Sequence, residues 1–512
     1  MSERVERSLA RIVPIAGGLL FCALWLAYRE FWLDDAFITF RYAKNWADGF
    51  GPVFNPGEAI EGYTNFAWML GSAVAFALLP TGPALTFVKL SGLALGLFVL
   101  WQSYTFPGPG GAPRRRWLVL LLAANPVFVA NCGDGMETPL FMALLLECAR
   151  ASLAAPSRRS GARVGVLAAA CIWTRPEALP LLLALPAVLL FFHRGAAFAW
   201  ARGFALAALP PVLGHIAWRL WYYGAPLPNT FYAKATGDLL TRLSKGVADV
   251  STFASFDQGV PAVGLWLALG LALLGLRKRE AAAKWLTLLW GAVAFRLAFD
   301  LWSGSEFMGT FRFLAPALPP LFVLADEGAR GMASPRARRT LAAAVAIGVA
   351  FSCWGHVALS DTRNHYAAGL ERAHVALGKW LAQSQPDGTW VALGDAGAIP
   401  FWSGLPAIDL WGLADASIPR LPGEYGDRPG SADYVLARQP GIIVIWNLSP
   451  IQKQAGRLHL VGAWPFDREI AEHPTFGREY RFVREFTFRP ETTPGSGYYL
   501  DVFEHRPGAA ER

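Results

Sequence analysis

Long apolar blocks separated by short polar segments organise this chain. Residues 83–104, 116–131, 203–223, 258–276 and 340–356 are such blocks, and each approaches the ~20 residues that a helix needs to cross a bilayer. Residues 12–28 and 64–80 form two more, and 162–192 is a longer one interrupted by Thr174-Arg175-Pro176-Glu177. From about residue 357 the pattern changes. Charges occur throughout, and the apolar runs shorten to WVALGD (390–395), GIIVIWN (441–447) and YYLDVFEH (498–505), which read as strands behind a helical stretch at 363–384. The expected fold is mainly α: a polytopic transmembrane helical bundle over 1–356, with a small C-terminal α/β soluble domain over 357–512.

Composition agrees, with 54% hydrophobic and only 16% charged residues. The formal charge of +8 invites a nucleic-acid partner, but the basic residues do not line a groove interleaved with aromatics. They cluster between apolar blocks, at Arg114–Arg116, Arg158–Arg159, Arg277–Arg279 and Arg336–Arg339, as cytoplasmic loops do under the positive-inside rule. No nucleic acid is expected, and the bilayer is the expected surroundings. Placing every basic cluster on one side requires about eleven spans, an interfacial helix at 64–80, a cytoplasmic N-terminus and an external C-terminal domain. Block 162–192 must then be a hairpin of two short helices turning at Arg175–Glu177. Block 12–28 lacks a small-residue cleavage site and reads as a retained first helix. The five cysteines show neither pairing nor metal-ligand spacing and read as small core residues.

On this topology the conspicuous polar residues gather on the outer face. Asp34, Asp35, Arg41 and Lys44 open the first external loop (30–82), which continues with Glu58, Glu61, Tyr63 and Asn65. Lys89, the stretch Asn131–Thr138 with Glu137, Arg175 with Glu177, Asn229–Lys234 with Tyr232, and Glu306–Arg312 join them. Only Arg296 sits well inside an apolar helix, with Asp300 as its natural partner. A transporter keeps its ionisable groups near the midplane, on broken helices related by repeats. Convergence at one surface fits surface chemistry better, although a transporter or flippase of lipid-linked sugars remains the alternative, and a non-catalytic glycan-binding partner a third reading.

Carboxylates, cations and a membrane surface together suit sugar transfer from a lipid-linked donor. A carboxylate takes the acceptor's hydroxyl proton, here Asp34 or Asp35. Cations hold the departing phosphate, with Lys89, Arg175, Lys234 and Arg312 as candidates. The transition state is oxocarbenium-like. A departing lipid monophosphate can be stabilised by Lys and Arg alone, so no cofactor is required and a divalent cation is not indicated. Each residue has a plainer reading as well. Asp34–Asp35 can begin a helix, Lys234 and Arg312 can anchor at headgroups, and His215 and His356 read as packing residues. Asp395 and Asp409 can bind acceptor, but they fit turns at strand ends better.

The string DDAFITFRYAKNWADGFGPVFNPGEAIEGYTNFAW resembles the first external loop of C-type (GT-C) glycosyltransferases, and is similar to relatives of the mycobacterial terminal β-(1→2)-arabinofuranosyltransferases. NPVFVANCGDGMETPLF, WTRPEALPLL, PLPNTFYAK, FMGTFRFLAPALPP and GDAGAIPFWSGLPAIDLWGL follow in order. The resemblance implies a helical bundle in the bacterial inner membrane with its active site at the periplasmic face. It also implies a polyprenyl-phosphate sugar donor and an envelope glycan, lipid or protein acceptor. The catalytic base would lie in the Asp pair, with Asp34 favoured. Glu58, Glu61, Tyr63 and Asn65 would shape the sugar pocket, and Lys234 and Arg312 would lie near the phosphate. Gly304-Ser305-Glu306 stands where related sequences read Gly-Gly-Asp, and the longer carboxylate could serve a different sugar or acceptor, so the resemblance implies a donor class in which arabinofuranose is one candidate.

Overall fold

The computed structural model describes residues 3–109, 117–192, 195, 197–254, 263–275, 282–304, 309–330, 332, 334–454, 457–493 and 495–506. Among these, the helices Thr81–Thr105, Ala197–Tyr223, Ala283–Ser303 and Pro335–Ser384 are long and apolar enough to cross a membrane, and Ile12–Tyr28, Phe66–Leu78 and Pro176–Phe192 are shorter apolar helices. The described helices do not establish eleven crossings. Block 116–131 is one reason. It forms two six-residue helices, Val119–Ala124 and Pro126–Asn131, because Pro126 has no N–H to continue the first and Asn125 Oδ1 caps the second by accepting from Phe128 N at 3.0 Å. Arg114–Arg116, Arg277–Arg279 and Glu306 lie outside the described residues.

Block 162–192 is two helices, Arg158–Thr174 and Leu181–Phe192, broken at Arg175 and the turn Pro176–Ala178. Leu189 of the second shares a buried cluster with Val164 and Ala168 of the first and with Trp200 and Phe204 of the helix Ala197–Tyr223, against which both helices pack. Helix Arg158–Thr174 also lies along Ala197–Tyr223 through glycines. A Cβ on Gly161 would meet the Trp200 carbonyl, one on Gly165 the Phe204 carbonyl, and one on Gly203 the Arg158 carbonyl. Small residues four apart let helix backbones approach this closely, which is how apolar helices associate where burial from water supplies little.

The segment 30–82, expected as the first external loop, is folded. Leu33 is extended, and the helix Asp34–Ala47 starts immediately after it. Trp32, Phe37 and Phe40 join Phe76 of the helix Phe66–Leu78 and Phe401 of the C-terminal domain in one ring cluster, with centroids 5.3 to 6.4 Å apart. His356 packs as expected of a helix-end histidine, between Tyr28 OH (3.1 Å) and the Ala124 carbonyl (3.2 Å).

The helix Pro335–Ala358 runs on through Ser360–Gly369 and a wider turn at Leu370–Val375 to Ala376–Ser384. The chain then builds a sheet of strands β1 (Val391–Leu393), β2 (Ala407–Asp409) and β3 (Ile442–Asn447), with β6 (Tyr480–Arg489) and β7 (Tyr498–His505). A separate hairpin pairs β4 (Gln452–Gln454) with β5 (Arg457–His459). The main order is β2-β1-β3-β7-β6. β1 pairs in parallel with β2 and β3, while β7 runs antiparallel between β3 and β6, with Val444 opposite Val502.

The glycine seam makes opposite predictions for two positions of one helix. Gly203→Ala should destabilise the protein by roughly 1–3 kcal/mol through backbone displacement. Gly214→Ala, with open space around it, should gain up to about 1 kcal/mol of helix propensity. Thermal unfolding in detergent reads both; equal shifts would mean the seam is not close-packed.

Candidate active site

Asp34 and Asp35 occupy the first turn of their helix, where the dipole favours anions. Neighbours on a helix point ~100° apart, so the two carboxylates face different surroundings. Asp34 turns into the C-terminal domain. Its Oδ1 accepts from His374 Nδ1 at 3.1 Å and Ala398 N at 2.8 Å, and its Oδ2 accepts from Gly397 N at 3.1 Å. Its own N–H donates to the Tyr366 hydroxyl at 3.3 Å. Position 397 needs glycine, because a Cβ there would strike the Asp34 carbonyl and carboxylate.

Asp35 faces the opposite way, with its side chain 26% exposed, and pairs with Arg312 Nη2 at 3.0 Å. Burial pushes its pKa up, but Arg312 and Lys234 outweigh burial and hold it below the usual carboxylate range. Asp35 is thus an ionised carboxylate paired with Arg312 and within electrostatic reach of Lys234.

Arg312 is presented by a strained turn. Phe311 has φ +54°, in the left-handed region that side chains other than glycine rarely adopt. Buried groups clamp both sides: Asn131 Nδ2 donates to the Thr310 carbonyl at 2.9 Å and Arg296 Nε to the Phe313 carbonyl at 2.8 Å. From Arg296 a buried chain leads back to the loop helix. Arg296 pairs with Glu177 (3.2 Å), Glu177 with Arg175 (3.2 Å), Arg175 with Glu137 (2.7 Å), Asn65 donates to Glu137 (2.7 Å), and Thr39 donates to Asn65 (3.2 Å). Arg175 is therefore engaged by carboxylates, and the direct ion pair of Arg296 is with Glu177, not the expected Asp300.

Beneath the Asp pair, Lys89 Nζ donates to the Phe31 and Gly133 carbonyls and lies 4.1 Å from the Trp32 ring. Leu33 N donates to the Asp134 carbonyl at 3.1 Å. Lys89 thus fixes the loop that carries the Asp pair and does not face it. The Asp134 carboxyl is fully buried beside it. Its Oδ1 accepts from Met136 N at 2.8 Å, yet burial dominates and raises its pKa to about 8.

Other expected sugar-pocket residues join parts of the chain. Arg41 donates to the carbonyls of Phe54 (2.7 Å), Leu405 (2.7 Å) and Pro400. Glu58 pairs with Arg438 at 3.3 Å. Glu61 holds Arg219 at 2.8 Å, with its pKa raised to about 7 because burial outweighs that arginine. The hydroxyls of Tyr63 and Tyr223 lie 3.2 Å apart. Asn229 Nδ2 lies 2.8 to 3.0 Å from the carbonyls of Gly412, Leu413 and Asp415. Tyr232 is exposed, and Lys234 Nζ stands 5.6 Å from the Tyr425 ring.

The structure therefore pairs Asp35 with Arg312, leaves Lys234 within electrostatic reach of Asp35, and distributes the rest around them. Sequence reasoning missed His374, Tyr366 and Tyr425, each far along the chain from its partner and in no motif. Asn55, reciprocally bonded to Ala407 at 2.9 Å, lay unnoticed inside the first loop. Asp409 makes a strand-end turn, accepting from Trp411 N (3.0 Å) and Ala414 N (2.9 Å).

Asp134 gives a pH prediction. A carboxyl whose folded pKa is about 8 stabilises the fold fully below the unfolded pKa of ~3.9. That contribution is lost as pH rises towards 8, because the unfolded chain releases the proton first. Asp134→Asn, which keeps the neutral shape, should be increasingly more stable than the parent from pH 4 to 8 in detergent thermal unfolding. A pH-independent difference would mean that Asp134 is ionised in the fold.

Comparison with known proteins follows the same lines. Residues 362–503 match a family model described as a domain of unknown function (DUF8728). The terminal β-(1→2)-arabinofuranosyltransferase of Mycobacterium tuberculosis is 31% identical over 286 residues, 50% of this chain and 43% of that protein, so the chain spans less than half the length of this relative. Among solved structures, ArnT from Cupriavidus metallidurans bound to undecaprenyl phosphate superposes with a TM-score of 0.57 at 12% identity, covering 100% of both chains. The oligosaccharyltransferase AglB from Archaeoglobus fulgidus, in complex with an inhibitory peptide and a dolichol-phosphate, gives 0.58 at 12% identity, covering 94% of this chain and 80% of that one. The chain is a multi-pass membrane protein with the fold of the C-type (GT-C) glycosyltransferases.

Proposed function

We propose that this chain is an inverting glycosyltransferase that moves one sugar from a polyprenyl phosphate to a hydroxyl of an extracytoplasmic glycan, lipid or protein. The observation that carries the reading is Asp35, ionised and partly open, facing Arg312 at 3.0 Å with Lys234 in reach. A general base, a phosphate clamp and a membrane surface thus coincide. The relative's name and the two lipid-phosphate complexes support the donor class.

In the proposed reaction the acceptor hydroxyl gives its proton to Asp35 as its oxygen attacks the anomeric carbon. The bond from that carbon to the phosphate oxygen breaks, and its electron pair leaves on the lipid phosphate. Arg312 and Lys234 take up the charge that develops there. Arg312 exchanges Asp35 for the phosphate when donor binds, which frees the base. Asp34, whose carboxylate already accepts three hydrogen bonds, holds the loop in place and is not the base. The surroundings assigned are the bacterial inner membrane, with residues 1–356 as the catalytic membrane domain, the N-terminus cytoplasmic and residues 357–512 periplasmic. Arabinofuranose is the sugar the relative suggests.

Asp35→Asn should lower transfer by roughly 10²–10⁴-fold, the usual worth of a general base, in protein that still folds in detergent although the charge opposite Arg312 is lost. Asp34→Asn should lower stability more, because it alters a carboxylate that accepts three hydrogen bonds. Mass analysis of envelope glycans from cells carrying each variant reads the transfer. Undiminished product with Asp35→Asn would remove that residue from the mechanism, and unaltered lipid-sugar translocation without new product would point to a flippase.

A further inference from the structure

The sheet of the C-terminal domain turns one end toward the candidate site. Asp395 follows β1, Trp411 follows β2, and Trp446 sits at the end of β3. Tyr498 opens the antiparallel β7 at the same end. The loop after β1 carries the N–H groups that bind Asp34, and the loop after β2 carries the carbonyls that bind Asn229. Farther on, Tyr425 N donates to Thr236 Oγ1 at 3.0 Å. The carboxyl ends of β1 and β2 are thus fastened to the first external loop and to the segment that carries Lys234. β1 is also where strand order diverges, to β2 on one side and β3 on the other, and open α/β sheets bind ligands outside the carboxyl ends of strands at such points.

The side chains there suit a sugar. Tyr425, Trp411, Trp464, Trp446 and Tyr498 form a half-buried row with successive ring centroids 4.8, 4.8, 5.8 and 4.0 Å apart. It runs from the ring beside Lys234 to the Tyr498 hydroxyl, which lies 3.0 Å from His374 Nε2. Asp395, 15% exposed, stands 3.6 Å from the same nitrogen, while His374 is held from behind by Asp34. Asp395 and Asp34, the residue next to Asp35, thus meet at the same imidazole, and the Asp34 N–H donates to the Tyr366 hydroxyl. Sugar rings offer C–H faces to aromatic side chains and hydroxyls to carboxylates and phenols.

We propose that the carboxyl end of this sheet is the acceptor-glycan site. Asp395 and Tyr498 bind the sugar's hydroxyls, and the aromatic row from Trp411 to Trp446 lies under its C–H face, beside Asp35. This rests on the transferase reading and gives the matched domain, 362–503, a role: it holds the acceptor. No bond is made or broken at Asp395, which is a binding residue.

The test uses the full chain in lipid nanodiscs and two titrations. One employs a panel of arabinofuranosyl, galactofuranosyl and mannosyl disaccharides, the other undecaprenyl phosphate. At least one disaccharide should bind the parent protein. Asp395→Asn and Tyr498→Phe should each weaken it by about tenfold or more, as loss of a hydrogen bond to a charged or buried polar group does, while undecaprenyl phosphate binding stays unchanged. Lys379→Ala, on an exposed lysine, should alter neither. Two near-isosteric variants, checked by thermal unfolding, guard against one of them failing to fold. Glycan affinity unchanged in the folded variants, or no disaccharide bound by the parent, overturns the acceptor site. A parent that binds disaccharide but not undecaprenyl phosphate overturns the donor reading and leaves the glycan site standing.

Discussion

The ion pair between Asp35 and Arg312 closes a circuit on which the rest of the site depends. From Arg312 the backbone leads to Phe313, whose carbonyl is held by Arg296. The chain through Glu177, Arg175, Glu137 and Asn65 then returns to Thr39, one helical turn beyond Asp35. Charges buried this deeply are expensive to desolvate and contribute little net stability, but a broken link leaves an uncompensated charge. Such a circuit therefore fixes geometry more than it stabilises the fold. It also explains how Phe311 is kept at a positive φ: buried hydrogen bonds clamp the turn from both sides, so the strain falls where Arg312 is presented.

Adjacent aspartates do separate work because they are adjacent on a helix. Both benefit from its N-terminus, yet the rotation between them sends Asp34 into backbone N–H groups and an imidazole, and Asp35 towards guanidinium and ammonium groups. Lys89 anchors the backbone just ahead of both. A single residue inserted between Phe31 and Asp34 would turn Asp34 into the place of Asp35 and carry Asp35 out of the site, which makes the anchored Phe31 carbonyl as important to the site as either carboxylate.

The hydrophobic blocks made the fold class legible, along with the break at Arg175 and the strands β1, β3 and β7. Block length could not reveal that Pro126 divides 116–131, although that proline was in view. Strand β6 was missed, although its alternating Tyr480, Phe482, Phe486 and Phe488 carry a period-2 signal, because charges are interleaved with them. The site was legible as a set of residues converging on one face. The division of labour was not, because spacing along the chain does not reveal which cation meets a carboxylate and which meets a carbonyl. Arg41, Lys89 and Asn229 look like ligand-binding groups in sequence, and each is engaged by backbone oxygens. Their partners, such as Leu405 and Leu413, carry no side-chain signal at all.

Those same backbone bonds constrain how the two parts of the chain work together. Asp34, Arg41, Asn55 and Asn229 each tie the first loop or the helix Asn229–Lys234 to the strand-end loops of the sheet. A domain held only by side-chain pairs at its rim would rock, and reaction rates fall steeply when reacting groups are misplaced by about an ångström. Here the residue beside the proposed base is itself bonded to the loop that carries Asp395. Any shift of the C-terminal domain relative to the membrane helices must therefore carry the start of the Asp34–Ala47 helix with it. Under the proposed function the base then stands one covalent step along the backbone from the anchored Asp34, and Arg312 opposite it is held by the turn clamped at Thr310 and Phe313.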